Sequence, residues 1–183
     1  MRELRAMSEL ELDPALLATL RALEEHDVEF VVVGDLAAAI HNNGGFVSGV
    51  AIVPGSYGRN VDRLRAALSS LDARLGIGGA PDGRAPDLRE ADLHELSPCT
   101  FMTAEADIDM SFEPAGTRGY RDLFDDAARM RLARGVNPLV ASTGDLERIA
   151  RGGAPMPPPA QAPATLPPEP GSGELWAGRA SRA

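Results

Sequence analysis

Lysine is absent from this 183-residue chain, and all 18 of its basic residues are arginine. That absence excludes Schiff-base catalysis and any phosphate loop built on a lysine. The single cysteine, Cys99, excludes an intrachain disulfide and all but excludes a cysteine-built zinc cluster. No apolar run is long enough to span a bilayer. The opening MRELRAMSELELDP has no apolar stretch of the kind a secretory signal needs. The expectation is a cytoplasmic chain with no membrane partner. An excess of positive charge is also missing. The net charge is −9, so the chain as a whole repels nucleic acid, and tight binding to it is not expected unless arginines cluster in space. Neither HxxxH nor HxH metal spacing occurs, and no serine sits in a G-x-S-x-G elbow.

What is present divides near Ala150. Eight of the 15 prolines fall within residues 151–183. The stretch PMPPPAQAPATLPPEPGSGE cannot build a core or a regular helix, so 151–183 is expected to be a disordered Pro/Gly/Ala-rich tail with local polyproline character. A proline-rich recognition segment is the functional alternative. Residues 1–150 alternate between helix and strand signals. Asp13-Pro14 makes a cap and first turn, and Leu16, Leu17, Leu20 and Leu23 follow at helical spacing. VEFVVVG (28–34) has the β-branched run of a buried strand, and 35–41 is a small-residue helix. A strand over 50–54 leads to a helix carrying Val61, Leu64, Leu68, Leu71 and Leu75, with Asn60 as its cap. Residues 76–86 are a Gly/Pro loop. Residues 97–103 and 106–112 pattern as a strand hairpin. A helix over 120–130, a strand over 136–141 and a helix over 143–150 complete the order. The expected class is α/β or α+β, a mixed sheet flanked by helices.

Two places carry residues suited to chemistry. Gly34 ends a strand and opens a helix, where free N–H groups and the helix dipole favour a phosphate. Packing is the competing account of that glycine. Asp35 beside it could cap the helix, and its charge would compete with a phosphate. The second place is Asp107-Ile108-Asp109. Strand alternation puts both carboxylates on one face, where they could coordinate Mg²⁺. The plain alternative is the polar outer face of an edge strand. His26, His41 and His94 read as surface or capping residues, and Cys99 as buried and inert. Asp122 to Asp126 reads as a solvated helix face. Arg118 and Arg121 flank Tyr120, and a surface role is their default.

Together these pieces resemble a family. HDVEFVVVGDLAAAIHNNGGFVSGVAIVPGSYGRNVDRLRAAL resembles the opening of small bacterial nucleotidyltransferase-fold proteins. These are relatives of the minimal nucleotidyltransferases and of the abortive-infection, type IV toxin–antitoxin nucleotidyltransferases. TAEADIDMSFEPAGTRGYRDLFDDA resembles the strand that carries the family's third carboxylate and the Gly-Tyr helix start after it. LVASTGDLERIA resembles the family's closing Val-Ala-Ser, Asp-Leu helix. The resemblance covers roughly residues 15–150. It implies a nucleotidyltransferase-like domain over 1–150, a nucleotide site at Gly34 and Asp35, Asp109 as the catalytic carboxylate, and Asp107 with Asp109 as metal ligands.

The rest of the family's Arg-x-Thr-x-Asp-x-Asp stretch is missing. Aligned from His41, the Arg falls on Gly45, the Thr on Val47 and the two metal-binding Asp on Gly49 and Ala51. Nucleotidyl transfer uses two metal ions roughly 4 Å apart. Two divalent ions at that spacing repel by about 17 kcal/mol at an effective dielectric near 20. Three clustered carboxylates normally offset that repulsion, and here one or two remain. The resemblance therefore implies a degenerate site, a pseudoenzyme that still binds a nucleoside triphosphate or a protein encoded nearby. Returning Asp to positions 49 and 51 is expected to restore metal binding. One alternative is an active Mg²⁺-dependent enzyme that transfers NMP to RNA or protein as a toxin–antitoxin component. The other is a non-enzymatic protein interaction module.

Overall fold

The computed structural model describes residues 5–6, 12–42, 44–45, 47, 49–76, 87–88 and 91–152. In chain order the elements are β1 (Arg5–Ala6), α1 (Pro14–Glu25), β2 (Phe30–Val33), α2 (Gly34–Asn42), β3 (Gly49–Pro54), α3 (Gly58–Ser70) and β4 (Arg74–Leu75). Then follow α4 (Leu93–Leu96), β5 (Cys99–Met102), β6 (Asp107–Met110), α5 (Tyr120–Phe124), β7 (Ala128–Arg131), β8 (Leu139–Val140) and α6 (Thr143–Gly152). They form the expected α/β architecture, one mixed sheet packed against helices. The strand order is β1-β7-β8-β2-β3-β6-β5-β4. The two-residue β1 extends a seven-stranded body at the β7 edge. Among the described residues no helix is long and apolar enough to cross a membrane.

Local chemistry sets the elements. Asp13 Oδ1 accepts from Ala15 N at 2.9 Å and Pro14 opens α1, because the first N–H groups of a helix lack partners and proline brings none. Leu16, Leu20 and Leu23 are the buried stripe that follows. All four residues of β2 are buried, as expected of a strand covered on both faces. Phe30 and Val32 join the larger core with α1, α2 and α3, whereas Val31 and Val33 join a second cluster with Leu123, Leu139 and Ala141. β6 alternates, with Ile108 and Met110 buried and Asp107 and Asp109 exposed. The sheet's second face is thus covered over β2 and β8 and open over β5 and β6.

The structure corrects four expectations. The helix expected over 120–130 stops at Phe124, and Ala128–Arg131 is strand β7. Met130 is buried between exposed Arg129 and Arg131, a period of two, and pairing with β8 overrides the helix propensity of Ala, Arg and Met. Asn60 does not cap α3. The capping position is Tyr57, and Asn60 is fully buried inside the first turn. Its side chain accepts from Glu29 N at 2.7 Å and donates to Glu29 O and Gly55 O, both at 2.9 Å. It thereby ties the segment before β2 to the one after β3. The strand expected over 136–141 narrows to two residues, with Val136 in an isolated bridge to Ala133. The last helix runs to Gly152, past the boundary expected at 150. The 76–86 loop beyond Gly76 and the tail from residue 153 lie outside the described residues.

Candidate functional site

The sheet brings the two expected sites together at the end of β2. Val33 pairs with Ala51, and Ala51 pairs with Asp109 on the parallel neighbour β6. Gly34 directly follows Val33. It takes φ +65, and a Cβ built on it would lie 3.0 Å from the Ala51 methyl. Both facts require glycine here, and both are packing facts. Gly34 and Asp35 open α2 and both are exposed. The nucleotide-binding residues expected from sequence therefore sit two strand spacings, about 10 Å, from the carboxylate strand.

Asp107 pairs with Gly49, and Asp109 with Ala51. Positions 49 and 51, where the resemblance would place two acids, are thus the direct neighbours of Asp107 and Asp109. Asp109 accepts the Thr100 hydroxyl at 2.6 Å from the other side, on β5. It lines a shallow groove of about 270 Å³ with Val33, Ala51, Thr100 and Pro114. Cys99 also borders it, half-buried. Burial first, and the Asp109 charge second, push its thiol up to about 11, so it stays protonated and inert at neutral pH.

Magnesium does not fit these residues. Mg²⁺ demands near-octahedral oxygen ligation. The wall opposite the two carboxylates is Gly49 and Ala51, which bring no side-chain oxygen, and one Asp109 oxygen is already engaged by Thr100. Among the described residues no group of three or more His, Cys, Asp or Glu could hold a metal.

The histidines are occupied elsewhere. His26 Nδ1 lies 2.8 Å from Ala22 O at the end of α1, and His41 Nε2 lies 2.8 Å from Ala141 O. His94 stacks on Phe112 with ring centroids 4.1 Å apart. The acidic run is not simply a solvated face. Asp122 is mostly buried and accepts from Arg118 N at 3.1 Å, and its carboxylate pairs with Arg148 at 3.1 Å. Arg148 also reaches Asp145, which accepts the Ser142 hydroxyl at 2.8 Å and is held at the start of α6. Arg118 stays at the surface, as expected, paired with Asp122 at 3.6 Å.

A second concavity escaped the sequence reading. At the opposite end of β2, Glu29, Tyr120 and Phe124 line two adjoining hollows of about 480 and 530 Å³, with Arg63 and Arg129 in one and Tyr57 and Arg121 in the other. Tyr57 and Phe124 are each 39% exposed, and among the described residues only Met102 joins them as an exposed large apolar side chain. Partial burial, then the Glu29 carboxylate, push the Tyr57 phenol up to about 12. Tyr120 shifts the same way, also mainly through burial. A Cβ on Gly55 would lie 2.8 Å from the Tyr57 ring, so that glycine lets the ring fold back over the backbone. The available signal was composition: the chain has only two tyrosines, and both are here. Compared with known proteins, the chain matches no family model and no curated protein.

Proposed function

We propose that this chain is a nucleotidyltransferase-fold protein that no longer performs two-metal nucleotidyl transfer and acts through binding, as a pseudoenzyme. The observation that carries the reading is the β3–β6 register. Gly49 and Ala51 stand beside Asp107 and Asp109, so the strand that should complete the carboxylate cluster contributes only backbone and a methyl. The α/β order, the buried β2 running into Gly34, and the closing Ser142–Asp145 helix are compatible with the family's frame. The Thr100–Asp109 bond gives the surviving carboxylate a structural partner.

The test is a thermal-shift titration of the full chain with each nucleoside triphosphate, with and without Mg²⁺ or Mn²⁺. A ligand that binds only the folded state adds about 2.7 kcal/mol at a hundredfold excess over Kd. The expected result is no metal-dependent rise in Tm with any triphosphate. A metal-dependent rise for one of them, with transfer of its labelled NMP to RNA or protein, would overturn the reading.

A further inference from the structure

We propose that the aromatic groove formed by Tyr57, Tyr120 and Phe124 is the docking site of the chain's own proline-rich segment, residues 155–170. The groove has the surface that such a segment needs. Polyproline segments dock on aromatic-lined grooves because they are already extended and lose little entropy on binding. Both tyrosines of the chain and one of its five phenylalanines meet here. Tyr120 and Phe124 stand one helical turn apart on α5, their rings 5.6 Å apart and tilted by 42°. Such a pair presents a ridged apolar surface. A polyproline helix leaves its carbonyls without internal partners, and Arg121 on the groove wall carries donors to meet them.

Chain path and charge favour this occupant. A Cβ on Gly152, at the end of α6, would lie 2.7 Å from Gly116 N. The end of α6 therefore rests on the turn that leads into α5, and Tyr120 follows Gly116 by four residues, at most about 15 Å. The five residues from Gly152 to Pro157 reach up to about 17 Å. Eight of the 15 prolines lie in 155–170, and no charged residue occurs from Gly153 to Pro168. The groove carries both signs, Glu29 and Asp125 against Arg121. Mixed walls select neither an acidic nor a basic partner and leave the apolar floor to an uncharged one. A short tether also holds the segment at an effective concentration near 1 mM, so an intrinsic Kd of about 1 mM is enough to fill the groove half the time.

The experiment uses the full ¹⁵N-labelled chain with a spin label at Ala160→Cys and with Cys99→Ser, so that the label has one site. Amide signals of Tyr57, Tyr120 and Phe124 are expected to fall to about half or below, matching the docked fraction. Signals around Thr100 and Asp109 are expected to hold. In a second variant, free of any change in the body, Pro157, Pro158 and Pro159 are replaced by Gly. Its chemical-shift changes against the parent chain are expected at the same three residues. Uniform broadening, or shift changes confined to the substituted segment, would overturn the proposal. So would equal broadening when spin-labelled ¹⁴N chain is mixed with unlabelled ¹⁵N chain, because the occupant would then be a second copy.

Discussion

Asp122 changes meaning between sequence and structure. In the run Asp122-Leu123-Phe124-Asp125-Asp126 it looks like one of several solvated acids. In the fold it is the carboxylate that ties the turn before α5 to α6 through Arg118 and Arg148. The Arg118 backbone N–H, followed by the charges of Arg148 and Arg118, holds its carboxyl below the ordinary 3.8. A depressed acid stays ionised in the native state while the unfolded chain takes up its proton first. Its stabilisation is therefore complete above about pH 4 and is lost as the pH falls through the lower native value. Asp122→Asn is expected to cost about 1 kcal/mol at pH 7, since Arg118 is largely exposed and the pairing is screened. The difference from the parent is expected to close as the pH falls below the ordinary carboxylate range. Calorimetric Tm values for both proteins at matched ionic strength check this, and a gap that stays constant would refute it. Glu24 acts in the opposite sense, because burial raises its carboxyl despite the Asn137 N–H. It is common to both proteins and cancels in the comparison.

At the scale of elements, the β3–β6 pair decides whether acids can be placed at positions 49 and 51. The sequence leads to the expectation that Asp at positions 49 and 51 restores metal binding. The structure sets a steric cost against it. A Cβ on Gly49 would lie 2.8 Å from the Asp107 carbonyl oxygen, a backbone atom that cannot swing away. Gly49→Asp must therefore part the two strands, as well as adding charge beside Asp107. The double variant Gly49→Asp, Ala51→Asp is expected to lose 1–3 kcal/mol, roughly the cost of overpacking. Gly49→Ala alone is expected to show most of that loss. Urea midpoints with and without Mg²⁺ measure both quantities. Undiminished stability without metal, or a large Mg²⁺-dependent gain, would sink the steric argument. The same pair shows what sequence could reveal. Alternation in DIDM announced the open carboxylate face, and the VVV run announced the covered strand. Neither contains the parallel register that sets Gly49 against Asp107, because pairing across 58 residues leaves no local trace. β7 was hidden for a related reason: its residues favour helix, and only its place between β8 and β1 makes it a strand. The aromatic groove was equally out of reach, since Tyr57 and Tyr120 lie 63 residues apart and meet only through the fold.

For the whole molecule, the decisive quantity is charge distribution rather than net charge. A chain at −9 could still bind RNA if its arginines gathered on one face. Five of the described arginines instead stand against carboxylates. Arg63 faces Glu29, Arg65 faces Asp62, Arg118 and Arg148 share Asp122, and Arg151 faces Glu147. These pairs are spread over α3, α5 and α6, on different sides of the sheet. Each phosphate that one of these five neutralises must then displace a carboxylate already there, which reduces the counterion release that drives RNA binding. Binding to a 20-nucleotide single strand is expected to be weaker than about 100 µM at physiological salt, the weak end of non-specific affinity. Fluorescence anisotropy across a salt series tests this, because four phosphate contacts on a single strand would give a log–log slope near −3. Micromolar binding with such a slope would mean that the arginines act together despite their partners, and that an RNA acceptor belongs back among the readings of this fold. A flat and weak response would remove RNA as a partner and leave the pairing of arginine with carboxylate as the reason.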